Sequence, residues 1–182
     1  MKHIYFLFLA FFLSSLVRAQ TPDSVIREPK IGAVLRTVRE RDVAGDSAKE
    51  ILQVETTKGK KFDAIRVRFS IYKDKKPVYT DSWKASGYFD PKDKLPDSIK
   101  WKRLRRIITY FFSNQNFTPS AEENLSSMLE RLKPGDIKLA SPEADELASS
   151  PHTIFAVYAG RDNLYGLTYI ESKKKFLKVW RN

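Results

Sequence analysis

The chain has 182 residues, with 33 Lys and Arg against 22 Asp and Glu, two histidines and no cysteine, for a formal net charge of +11. The absence of cysteine excludes disulfide staples, thiolate catalysis and every cysteine metal site. The length suits one domain with one core, and the basic excess favours anionic partners.

The first twenty residues, MKHIYFLFLAFFLSSLVRAQ, have the layout of a secretory signal peptide. Lys2 supplies the basic start, Ile4 to Phe12 are apolar or aromatic throughout, and Val17-Arg18-Ala19 fits the small-residue cleavage rule. The apolar run is shorter than the ~20 residues of a spanning helix. Cleavage after Ala19 is expected. It would leave 163 residues and, with Lys2 and Arg18 gone, a net charge of +9. No later stretch is apolar enough to span a membrane. The expected location is periplasmic or extracellular.

Residues 20–30 are polar, carry two prolines and read as a loose arm ahead of a single domain at 31–182. Segments 31–41 and 49–57 fit a strand or a helix equally well. In Ala64–Tyr72 the apolar residues Ile65, Val67, Phe69 and Ile71 alternate with polar ones, the period of a half-buried strand. The KDKKP run that follows turns the chain, and Val78–Phe89 reads as the hairpin partner. Beyond a proline-punctuated connection, Asp97 or Ser98 is placed to cap a helix. Trp101, Leu104, Ile107, Ile108 and Phe111 then recur at helical spacing as far as about Asn114.

A second helix is signalled by Ser120 and Glu123, a capping box, with Leu125, Met128, Leu129 and Leu132 as its stripe and Pro134-Gly135 as its stop. A short helix is allowed at Pro142–Ala148. The chain closes with three strands at 153–159, 164–170 and 176–180. Strands first, helices between and strands last make an α+β domain: an antiparallel curved sheet with two main helices on one face. No repeat, low-complexity tract or second domain is present.

Most catalytic chemistries lack their residues. Once the leader is gone, His152 is the sole histidine, in a polar loop just before a strand. Seven glycines, spread from Gly32 to Gly166, make no phosphate-cradling loop. No cofactor or metal is expected. Carboxylate acid–base chemistry keeps its raw material in Glu122, Glu123, Glu143, Asp145, Glu146 and Asp162. Yet helix acids serve the dipole, and Asp162 suits a turn.

Modification motifs are short. Asn116-Phe117-Thr118 and Asn124-Leu125-Ser126 match an N-glycosylation pattern. Asp-Ser followed by a small or aliphatic residue, at Ser24, Ser47 and Ser98, resembles a bacterial O-glycosylation acceptor and equally a turn or helix cap. The aromatics of the hairpin and meander read as core filling rather than as a sugar-stacking platform.

The sharpest lead is the first helix. With its apolar stripe turned inward, Lys102, Arg103, Arg105 and Arg106 all fall on the remaining face, and Lys100 lies at its edge. A charged outer face is ordinary. This one, however, meets no acid between Asp97 and Glu122, and its cations crowd the end where the helix dipole disfavours them. Those four residues are the candidate binding site for an anionic envelope component or glycan. Nucleic acid is disfavoured by export and by the lack of a recognition module. The leading expectation is a non-enzymatic exported binding or envelope-associated domain. The alternative is a small carboxylate-dependent hydrolase acting on a polysaccharide. Turn lysines at 58–61, 73–76 and 173–175 need not converge with the helix.

Overall fold

The computed structural model describes residues 30–119, 141–149 and 153–181. The elements described here belong to one unit, Ile31–Asn182. The first half is a meander of four antiparallel strands: β1 (Arg36–Arg41), β2 (Glu50–Thr56), β3 (Arg66–Lys73) and β4 (Lys76–Lys84). Residues 31–41 and 49–57, ambiguous by pattern, thus supply strands. In β3, Val67, Phe69 and Ile71 are fully buried, as the alternation requires. The β3–β4 loop is the two residues Asp74 and Lys75, both at positive φ, a type I′ turn whose twist matches its strands.

Helix α1 (Asp97–Thr109) follows. Its N-cap is Pro96 rather than Asp97 or Ser98. Asp97 instead opens the first turn, and its Oδ2 accepts the Phe62 amide at 3.4 Å. The helix stops at Thr109, before the expected Asn114. A continued helix would point Phe111 and Phe112 about 100° apart; leaving it lets both rings enter the core, where each is 4% exposed. Trp101, Leu104 and Ile108 are buried, and Ile107 is half-buried.

A short strand the sequence did not signal, β5 (Phe117–Pro119), comes next. The expected second helix, Ser120 onward, and His152 lie outside the described residues. Helix α2 (Ser141–Ser149) is the short helix allowed at 142–148. The closing meander is β6 (Thr153–Tyr158), β7 (Leu164–Ile170) and β8 (Lys175–Arg181).

The α+β class with antiparallel strands holds. Hydrogen bonding divides the strands into two four-stranded sheets, in the orders β1-β2-β3-β4 and β5-β6-β7-β8, rather than one continuous curve. Their inner faces share one core: Phe69 of β3 meets Phe155 of β6 at 5.5 Å between ring centroids. Leu147 of α2 belongs to a separate apolar cluster with Ile154, Ile170 and Val179 of the second sheet.

Side chains, not a ladder, join β4 to β7 and β8. The Asp81 carboxylate Oδ2 accepts Tyr165 OH at 2.9 Å and Lys178 Nζ at 2.8 Å, and Tyr79 OH donates to Tyr165 OH at 3.1 Å. Burial pushes the Asp81 carboxyl up, but the bonds from Lys178 and Tyr165 outweigh it and hold it below the usual range. Nearby, Gly160, at φ +151, lets the β6–β7 turn approach the β4 end closely. A Cβ there would lie 3.0 Å from Gly87 O, which accepts the Arg161 amide at 2.8 Å.

Candidate anion-binding surface on the first helix

Three of the four sequence candidates, Lys102, Arg103 and Arg106, stand exposed on α1. None makes an ion pair with another described residue. Arg105 differs: it is half-buried and engaged. The reason is the sharing of one helix face with the core: the buried Trp101, Leu104 and Ile108 leave Arg105 at the border of the packed stripe.

At the C-terminal end of α1 the surface becomes concave. Arg103, Arg106, Ile107, Tyr110, Ser113 and Gln115 line a groove of about 530 Å³. Arg103, Arg106 and Tyr110 occupy positions three and four apart, so all three project from one side of the helix and its cap. Tyr110 is 64% exposed, unusual for so large a ring. Ser113 and Gln115 come from the turn beyond the helix.

That turn is held by two arginines sequence reasoning missed. Arg39 donates to the Phe112 carbonyl and to Asn114 Oδ1, and Arg41 donates to Asn114 Oδ1 at 3.4 Å. Their guanidinium carbons lie 5.6 and 4.1 Å from the centre of the Phe117 ring, which stacks on Phe155 at 4.5 Å. No described carboxylate neutralises either cation. Burial, then the neighbouring Arg39, depress the Arg41 pKa. The signal available in the sequence was the alternation in RTVRER, which puts Arg39 and Arg41 on the same side of a strand.

A second cleft, of about 560 Å³, lies near the start of α1. Its charged lining is Asp63, Asp90, Asp93, Asp162, Lys84 and Lys100. Asp90 accepts the Lys92 amide at 2.9 Å and pairs with Arg161; both bonds hold its carboxyl below the usual range. Arg161 also lies 3.6 Å from Asp162. No set of three or more acids or histidines among the described residues is placed to hold a metal.

Other buried charge is structural. Glu50, fully buried, accepts the Val43 amide at 2.8 Å and faces Lys73 at 3.5 Å, closing the β1–β2 loop. Asn116, the first glycosylation candidate, is 8% exposed and donates its amide to the Phe111 carbonyl at 2.9 Å, so it is not presented for modification. Asn124 and Ser24 lie outside the described residues, while Ser47 and Ser98 are exposed. No helix among the described residues is long and apolar enough to cross a membrane.

The chain matches no protein-family model, no curated protein and no solved structure.

Proposed function

We propose that this protein is an exported, non-enzymatic binding domain that engages an anionic envelope partner through the basic face of α1. The observation that carries this reading is the exposure of Lys102, Arg103 and Arg106 without a carboxylate partner among the described residues. Cations kept only for solubility are usually interspersed with acids. Arg39 and Arg41, also unneutralised, add to the field at the far end of the helix. Export rests on the leader sequence, and an intact mass of the native protein lacking residues 1–19 checks it.

Replacing Lys102, Arg103 and Arg106 with glutamine should leave the fold intact and sharply lower the salt needed to elute the protein from heparin. Exposed charges act within about 8 Å at physiological ionic strength, so retention should fade with added salt. Bulk charge is controlled by a second triple variant, Lys60→Gln, Lys75→Gln and Lys174→Gln, all exposed turn positions. Equal losses in the two variants would reduce the effect to net charge and end the assignment of α1.

The alternative, a carboxylate hydrolase, is favoured by one observation: four aspartates line a single cleft. A general acid needs a raised pKa, and Asp90 is shifted the other way by its bonds to Lys92 and Arg161. The binding reading therefore leads. Release of reducing sugar from an envelope polysaccharide, abolished in an Asp90→Asn variant with unchanged melting, would reverse that order.

A further inference from the structure

We propose that the groove at the end of α1 is a binding site for an acidic saccharide, a sugar bearing a carboxylate, sulfate or phosphate. This deepens the reading of α1 as an anion-binding surface and rests on it. The groove's volume, about 530 Å³, falls within the roughly 300–1,000 Å³ of small-molecule sites.

Its lining sorts into three chemistries. Arg103 and Arg106 supply two planar guanidinium forks, the geometry that grips an oxyanion through paired hydrogen bonds. Tyr110 and Ile107 supply apolar surface. The Tyr110 ring is left 64% exposed, and a flat ring face is what the C–H side of a sugar packs against. Gln115 offers both a donor and an acceptor for sugar hydroxyls. The Ser113 hydroxyl is sealed from solvent and unpaired. A hydroxyl held without a partner is unfavourable, and turning it towards a hydroxyl-bearing ligand would relieve that. No acid is among these six residues.

The mixture separates a sugar from other polyanions. A membrane surface or a nucleic acid backbone would be served by the row of cations alone and would have no use for a concave site with neutral amide and hydroxyl groups. An acidic saccharide uses every part of it.

The test is calorimetric titration of the mature chain with trigalacturonate, a sulfated disaccharide and neutral maltotriose. Binding to vesicles of mixed phosphatidylglycerol and phosphatidylcholine is measured beside it. At least one acidic sugar should bind about tenfold or more tightly than maltotriose. Tyr110→Ala, which changes no charge, and Arg106→Gln should each weaken it about tenfold. Lys75→Gln, at an exposed turn away from the helix, should weaken it less than about twofold, and Lys102→Gln, on the basic face but outside the groove, should weaken it less than Arg106→Gln does. An unchanged Tyr110→Ala with equal losses in Lys102→Gln and Arg106→Gln would overturn the groove while leaving the basic face standing. So would vesicle binding without binding of either acidic sugar, which would assign the face to a membrane surface. Equal heparin losses in the helix and turn variants would remove both readings together.

Discussion

Phe155→Ala is expected to lower the stability of the protein by about 3–5 kcal/mol, the range for truncating a buried aromatic side chain. Phe155 is fully buried and touches both sheets and the segment after α1 at once. Its ring centroid lies 5.5 Å from Phe69, 5.8 Å from Phe112, 6.0 Å from Phe111 and 4.5 Å from Phe117. The cavity left by an alanine would be walled by four rings from β3, β5 and the Phe111-Phe112 pair. Rings fixed by two sheets cannot all collapse inward, so the cost should lie towards the upper part of the range. For a domain of this size the midpoint of thermal unfolding should fall by about 10 °C or more. Phe155→Leu, which fills most of the space, should cost much less. A loss under about 1 kcal/mol in the alanine variant would contradict the packing described for the shared core.

Alkaline pH should unfold the protein cooperatively, and the effect is as large. Burial pushes the phenols of Tyr79, Tyr88 and Tyr165 well above their ordinary range. For Tyr165 the neighbouring Tyr79 and Asp81 add to the shift. Above about pH 10 the unfolded chain releases these protons and the folded chain keeps them. The unfolded state then binds fewer protons, so stability falls as pH rises, by about 1.4 kcal/mol per pH unit for each phenol. The three together give about 4 kcal/mol per unit, full stability being retained below pH ~10. Tyr169, also shifted upward by burial, acts in the same direction. Phenolate absorbance and far-ultraviolet circular dichroism, followed together, should show these tyrosines ionising only as structure is lost. Tyr79→Phe should reduce the slope by about a third. Ionisation of all tyrosines near pH 10, ahead of any structural change, would refute the seam geometry.

The elements legible in the sequence were those whose burial is regular. The alternation of Val67, Phe69 and Ile71 and the spacing of Trp101, Leu104 and Ile108 survive intact in the structure because each faces the core along its full length. β1 was ambiguous for a physical reason. Its inward side carries Thr37, Arg39 and Arg41 rather than apolar residues, since it faces the guanidinium-covered Phe117 ring and the turn at Asn114. β5 is three residues long, and its strand character comes only from pairing with β6. The candidate surface divides in the same way. The helix cations could be placed by counting turns. Tyr110, Ser113 and Gln115 could not, because the helix ends early to bury Phe111 and Phe112, and only that break makes the surface concave.

Both sheets are built only from strands that follow one another in the chain. Every ladder but β5–β6, whose strands are separated by residues 120–152, can therefore form after closing a short loop, and the cost of loop closure grows slowly with length. Also non-local is the meeting of the halves: Phe69 with Phe155, Asp81 with Tyr165 and Lys178, Gly87 with Arg161. Folding speed tracks how far apart in sequence the contacting residues lie. The short-loop ladders should thus be quick and the docking slow. Slowing unfolding, and so lengthening the lifetime of the folded chain, is then a matter of strengthening the β4–β8 seam rather than any strand.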